Sequence, residues 1–207
     1  MYNDVHRITE LQATTAGKIA SVVVNPCLWA IVCYRLGHWL WKNDVMLLPR
    51  LLSAVARVLT GIEIAPSASI GAGLLIVHGS GVAIEAGARI GARVTIYQGV
   101  GIGRRYGDHA YDGLPTIGDD VQIFAGAKIL GPVTIGNRSR VGANAVVIRS
   151  FPDDTTIAGV PAHSVARTDA STTTTAAEGT LAVTGGVRQP QPLQAGAYAF
   201  QRNEATP

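Results

Sequence analysis

A single histidine, His78, stands in the run Gly73-Leu-Leu-Ile-Val-His-Gly-Ser-Gly81, between an apolar strand-like stretch and a cluster of glycines. Imidazole is the side chain best suited to taking a proton near neutral pH. A histidine at a strand end beside glycine-rich turns meets whatever binds in the adjoining groove. By residue type alone a structural or surface histidine fits as well as a catalytic one. The surroundings favour chemistry, because the repeat that governs this chain slips by two residues here. A second polar cluster, Arg104-Arg-Tyr-Gly-Asp-His-Ala-Tyr-Asp-Gly-Leu114, holds guanidinium, imidazole and carboxylate groups. Zinc hydrolysis of the three-histidine type fits poorly, since His78, His109 and His163 lack its spacing, and Cys27 and Cys33 lack the partners of a zinc site. No metal is expected.

The elements that position these groups follow from a period of six. Ile117, Ile123, Ile129, Ile135, Val141 and Val147 recur without a slip. Upstream run Ile64, Ile70, Ile76 and Val82, then, after the two-residue shift, Ile84, Ile90, Ile96 and Ile102. Glycine often follows the branched residue, as at Gly71, Gly91, Gly103, Gly118, Gly136 and Gly142. Six fits neither a helix nor an alternating strand; it marks a hexapeptide solenoid. Each hexapeptide is a short strand and a turn, and three make one triangular coil. The branched side chain fills the prism, and small residues let the chain turn its corners. The expected fold is mainly β, a left-handed parallel β-helix with a short N-terminal α-helical segment. About 14 repeats make roughly four to five coils.

Three regions are expected: a helical segment over 1–60, a β-helix over 61–167 with an excursion loop at 104–114, and a disordered tail over 168–207. Asn25-Pro26 reads as a helix start, and Gly61 as the stop of a second helix beginning near Val45. Arg35, His38 and Lys42 break the apolar run after Pro26, leaving it too short for a membrane span. Contact of Trp29, Trp39 and Trp41 with a membrane surface is a minor alternative to their filling a helix–coil or subunit interface. The 207 residues are 47% hydrophobic and carry a net charge of +3 with scattered basic residues, which speaks against nucleic acid as a partner. Two close cysteines, with no signal-peptide pattern, suggest thiols in a reducing, cytoplasmic setting. The tail is low in bulky apolar residues.

Several segments together resemble the hexapeptide-repeat acyltransferases, and within them the serine acetyltransferase-like branch. They are Thr60-Gly-Ile-Glu-Ile-Ala-Pro66, Ile76-Val-His-Gly-Ser-Gly-Val82, Gln98-Gly-Val-Gly-Ile-Gly103, Gly126-Ala-Lys-Ile-Leu-Gly-Pro132, Val141-Gly-Ala-Asn-Ala-Val146 and Ala158-Gly-Val-Pro-Ala162. Tyr34-Arg-Leu-Gly-His38 is similar to shorter members of that branch. The resemblance implies an O-acetyltransferase using acetyl-CoA as co-substrate, acting as a homotrimer with active sites between subunits. The family's catalytic histidine falls on His78 and its partner carboxylate on Glu63, one methylene longer than the usual Asp. By position, acetyl-CoA would meet Gly103, Ala125, Lys128, Arg140 and Ala143, and an amide near Gly101 or Gly103 would hold the oxyanion. Two departures matter. Val77 stands where an Asp usually precedes the histidine, and Gly113-Leu114 where an Arg-His pair usually binds free serine. Arg104, Arg105, His109 or Asp112 would have to replace them. A sugar or polysaccharide-precursor hydroxyl is therefore an alternative acceptor to L-serine, and a non-catalytic binding scaffold a further one.

Overall fold

A computed structural model describes residues 2–9, 24–105 and 113–165, and the statements below concern these. By contacts the chain divides into Met1–Thr168 and Asp169–Pro207. The second unit, with the expected tail, lies outside the described residues, as do His109 and Asp112 of the excursion loop.

Met1–Thr168 is built on a three-faced parallel β-helix. The first coil consists of β1 (Glu63–Ile64), β2 (Ser69–Ile70) and β3 (Leu75–Val77); the second of β4 (Ala83–Ile84), β5 (Arg89–Ile90) and β6 (Thr95–Tyr97). The third is β7 (Gly101–Gly103), β8 (Thr116–Ile117) and β9 (Gln122–Ile123); the fourth is β10 (Lys128–Leu130), β11 (Thr134–Ile135) and β12 (Arg140–Val141). A fifth begins with β13 (Val146–Val147) and closes through β14 (Thr156–Gly159) and an antiparallel last strand, β15 (Ala162–Val165). Strands stack into faces in the orders β1-β4-β7-β10-β13, β2-β5-β8-β11 and β3-β6-β9-β12-β14-β15.

The hexad residues form the core. Ile64, Ile70, Ile76, Ile84, Ile90, Ile96, Ile102, Ile117, Ile123, Ile129, Ile135, Val141 and Val147 are all buried inside the prism. Each buried aliphatic side chain contributes roughly 1.5–3 kcal/mol of transfer free energy. Ile stacks on Ile from coil to coil, because strand pairing places equivalent residues directly above one another.

Three helices close the N-terminal end: α1 (Tyr2–Thr9), α2 (Pro26–Lys42) and α3 (Leu47–Thr60). The Asn25 side chain caps α2 by accepting from the Cys27 amide at 2.9 Å. Gly61 ends α3 in the left-handed region at φ 69°. Tyr34, Arg35 and His38 clamp α2 to the first coil. The Tyr34 hydroxyl donates to Ala68 O and accepts from the Ile70 amide, Arg35 donates to Ile70 O and Gly71 O, and His38 Nδ1 lies 2.8 Å from Pro66 O. Asp4 of α1, fully buried, accepts from Arg35 and from the amides of Gly73 and Leu74. Trp29 and Trp39 do not fill an interface within the chain: they are 52% and 61% exposed. Among the described residues no helix is long and apolar enough to cross a membrane.

Candidate active site

A regular coil is eighteen residues long; the first and third coils are longer, and the last is shorter, Arg140 pairing with Thr156 only sixteen residues on. Ala83 pairs with Gly101, and Lys128 with Val146, each eighteen residues on. Glu63 pairs with Ala83, twenty residues on, so the first coil holds two extra residues. They fall at the corner after β3, where His78 sits. Gly101 pairs with Lys128, twenty-seven residues on, and those nine extra residues belong to the excursion loop between β7 and β8.

At the edge where the third face turns into the first, the corners form a column. Gly81, Gly99, Gly126 and Asn144 each donate an amide hydrogen bond to the corner below, to Gly61 O, Ser80 O, Gln98 O and Ala125 O at 2.8–2.9 Å. All four, with Gly61, are left-handed. His78, at φ 59°, and Gly79, at φ 22°, stand outside this column. The insertion thus pushes one histidine out of the regular edge into a conformation that costs roughly 1–2 kcal/mol for a residue with a side chain. Its imidazole is exposed and has no hydrogen-bond partner among the described residues. The corner is fixed from behind. A side chain on Gly79 would collide with the Ile62 side chain and with Cys27 Sγ of α2.

Glu63 begins the first face beside this edge. The outward column there reads Glu63, Ala83, Gly101, Lys128 and Val146 in register. Small residues in the middle leave a groove of about 470 Å³, lined by Glu63, Ala83, Glu85, Gly101, Gly103 and Arg104 among others. The structure does not join Glu63 to His78 by a hydrogen bond. Glu63 Oε2 instead accepts from Arg57 of α3 at 3.2 Å.

The expected acetyl-CoA residues separate into three places. Ala125 and Ala143 lie on the column above His78. Lys128 stands on the first face, where its ammonium reaches back across the edge to Gly99 O, and Arg140 is exposed on the third. Gly103 is across the first face, at the opposite edge, where the excursion loop leaves. Arg104 and Arg105 lie with it, away from the His78 corner. The Gly101 amide expected to hold an oxyanion is already bonded to Ala127 O at 2.9 Å, so that assignment fails for Gly101.

Two functional-site neighbours escaped the sequence reading. Arg57 sits in a helix six residues before Glu63, with no motif to link them. Glu85 looked like one more polar residue between hexads, yet it holds Arg104: Oε2 accepts from the Arg104 amide at 2.6 Å, and Oε1 lies 3.1 Å from Nε. Burial raises the thiol pKa values of Cys27 and Cys33, which keeps them protonated and makes them poor nucleophiles.

Comparison with known proteins agrees with this architecture. The family described as "Bacterial transferase hexapeptide (six repeats)" matches residues 115–149. A serine acetyltransferase of Synechococcus elongatus is 39% identical over 79% of this chain and 67% of its own. One from Helicobacter pylori strain J99 is 40% identical over 79% of this chain and 95% of its own. A serine acetyltransferase solved in complex with CoA superposes with a TM-score of 0.71 at 30% identity, covering 79% of this chain and 67% of that one. The chain spans about two thirds of the length of the solved enzymes it matches.

Proposed function

The chain belongs to the serine acetyltransferases, acyltransferases of the hexapeptide-repeat class, and from that membership we propose that it moves the acetyl group of acetyl-CoA to the hydroxyl of L-serine, giving O-acetylserine and CoA. One relative's structure holds CoA and another's holds serine, which supports both substrates. His78 is the general base. It takes the hydroxyl proton as the oxygen attacks the thioester carbonyl, the tetrahedral intermediate expels the CoA sulfur, and the imidazolium returns the proton to it. Glu63 orients and stabilises the imidazolium; Arg57 holds Oε2, which leaves Oε1 for this task. The observation that carries the reading is the exposed, unpartnered His78, displaced from the regular edge by the two-residue insertion.

Acetyl-CoA runs from His78 past Ala125 and Ala143 toward the cations of Lys128 and Arg140, with Gly103 on the opposite side of the groove. Arg104, Arg105, His109 and Asp112 contribute to acceptor binding. The groove has one wall within a single chain, and a homotrimer supplies the second; the molecular mass in solution, about three times 21.6 kDa, checks this. The decisive assay follows thiol release from acetyl-CoA with L-serine. Wild-type turnover, lost in His78→Ala by about 10²–10⁴-fold, supports the assignment; full activity in that variant overturns it. A sugar hydroxyl is the second reading. It is favoured by the apolar Val77 beside His78 and by Gly113-Leu114 at the loop's return, which offer no charge to an amino acid. A panel of sugars in the same assay separates the two.

A further inference from the structure

We propose that Glu85 is a positioning residue of the acetyl-transfer groove, fixing Arg104 at its rim. The inference rests on the acetyltransferase reading above. Three observations carry it. First, the Glu85 carboxylate makes two bonds to one residue: Oε2 to the Arg104 backbone amide at 2.6 Å and Oε1 to its Nε at 3.1 Å. Holding both main chain and side chain sets where the guanidinium stands, which a contact to the side chain alone would not do. Second, the chain makes room for this carboxylate. A Cβ on Gly103 would lie 2.6 Å from Glu85 Oε2, although Gly103 is not in the left-handed region that would otherwise call for glycine. Third, Glu85, Gly103 and Arg104 all line the groove that Glu63 shares, and Arg104 is where the chain leaves the third coil.

The return of the chain is seated on the same corner. Leu114 packs against Gly87, whose added Cβ would sit 2.8 Å from Leu114 Cδ1. The second coil's turn, Glu85-Ala-Gly87, therefore receives both stems of the excursion. The Glu85 carboxylate, partly exposed, binds the Arg104 amide and guanidinium by charge-assisted hydrogen bonds, whose paired geometry sets position. Glu85 touches Arg104 and acts on substrate through it.

The experiment is steady-state kinetics on the full chain, varying acceptor and acetyl-CoA separately. Glu85→Ala raises the acceptor KM about tenfold, with kcat within about twofold, while the acetyl-CoA KM stays constant. Glu85→Gln, which still accepts from the Arg104 amide, falls between. The double variant Glu85→Ala/Arg104→Ala is no worse than Arg104→Ala alone, since the two act as one unit. Additive effects, or an unchanged acceptor KM in Glu85→Ala while the wild type turns over, overturn the proposal. A wild type without acetyl transfer refutes the proposed function instead. If Glu85→Ala fails to fold, Glu85→Gln decides.

Discussion

At the scale of the residue, the candidate site is a corner of backbone before it is a set of side chains. His78 points where it does because two extra residues were accommodated by left-handed φ at His78 and Gly79. Gly79 is wedged against Ile62 and Cys27, so a methyl there has to push the corner outward. Gly79→Ala is expected to lower kcat at least tenfold with the same molecular mass and far-UV spectrum, measured by steady-state kinetics and circular dichroism. Glu63→Gln keeps the shape but not the charge that steadies an imidazolium, and lowers kcat while leaving the acetyl-CoA KM unchanged. The displaced corner that carries His78 was legible from the slip in period. Arg57 and Glu85 were not, because ion pairs between residues on neighbouring elements leave no periodic trace in a sequence.

At the scale of the element, α2 buries Cys27, Leu28, Ala30, Ile31 and Tyr34 in the same apolar core as the first coil, and polar groups reading bare backbone fix the joint around it. Asp4 and Arg35 are the centre of that joint. Burial alone would raise the pKa of Asp4, but the hydrogen bonds and charge of Arg35 and the amide of Leu74 outweigh it and hold the carboxyl below its ordinary value. Stability from Asp4 is therefore complete above about pH 4, the ordinary unfolded value, and is lost as pH falls through the lower folded value. Asp4→Asn leaves Arg35 half-buried without its partner and costs about 3 kcal/mol at pH 7. That is roughly 6–12 °C in melting temperature for a chain of this size. The gap between variant and wild type narrows below about pH 4, which thermal melts across pH would reveal. The α2 and α3 limits were legible from Asn25-Pro26 and Gly61, which cap as their types require. Helix α1 falls within the expected helical segment over 1–60, but its own limits were not legible, because it is held by Asp4 on Arg35 and by Arg7 on Gly73 O and Thr95 Oγ1, long-range contacts that leave no local signal.

At the scale of the whole molecule, the period of six was enough to place the prism and its core, and the recurrent glycines meet the expected need to turn corners without a Cβ clash, but not in the same way on every edge. On the edge between the second and third faces, Gly71, Gly91, Gly118 and Gly136 are not left-handed. They are glycines because the next coil lies directly against them. A Cβ on Gly91 would be 2.6 Å from the carbonyl carbon of Gly118, and one on Gly71 would be 2.6 Å from the amide nitrogen of Ala92. The close approach allows a polar ladder, with Asp119 Oδ1 accepting from the Ala92 amide, Asn137 Oδ1 from Asp119 and Asp153 Oδ1 from Asn137. On the His78 edge the demand is opposite. Gly81 and Gly99 are left-handed, while their added Cβ atoms would meet the next coil at an ordinary 3.5 Å. The two edges should therefore answer differently to the same substitution. Gly99→Ala costs about 1–2 kcal/mol, the strain of a left-handed alanine. Gly91→Ala faces backbone that cannot step aside without parting two coils, and costs more, about 3 kcal/mol or beyond. Because a coil touches only its neighbours, the damage stays local. Hydrogen exchange should show Gly91→Ala loosening the amides of Ala92, Gly118 and Asp119 while those of the fifth coil keep their protection. Equal destabilisation by both alanines would mean that φ, and not coil spacing, governs every corner of this prism.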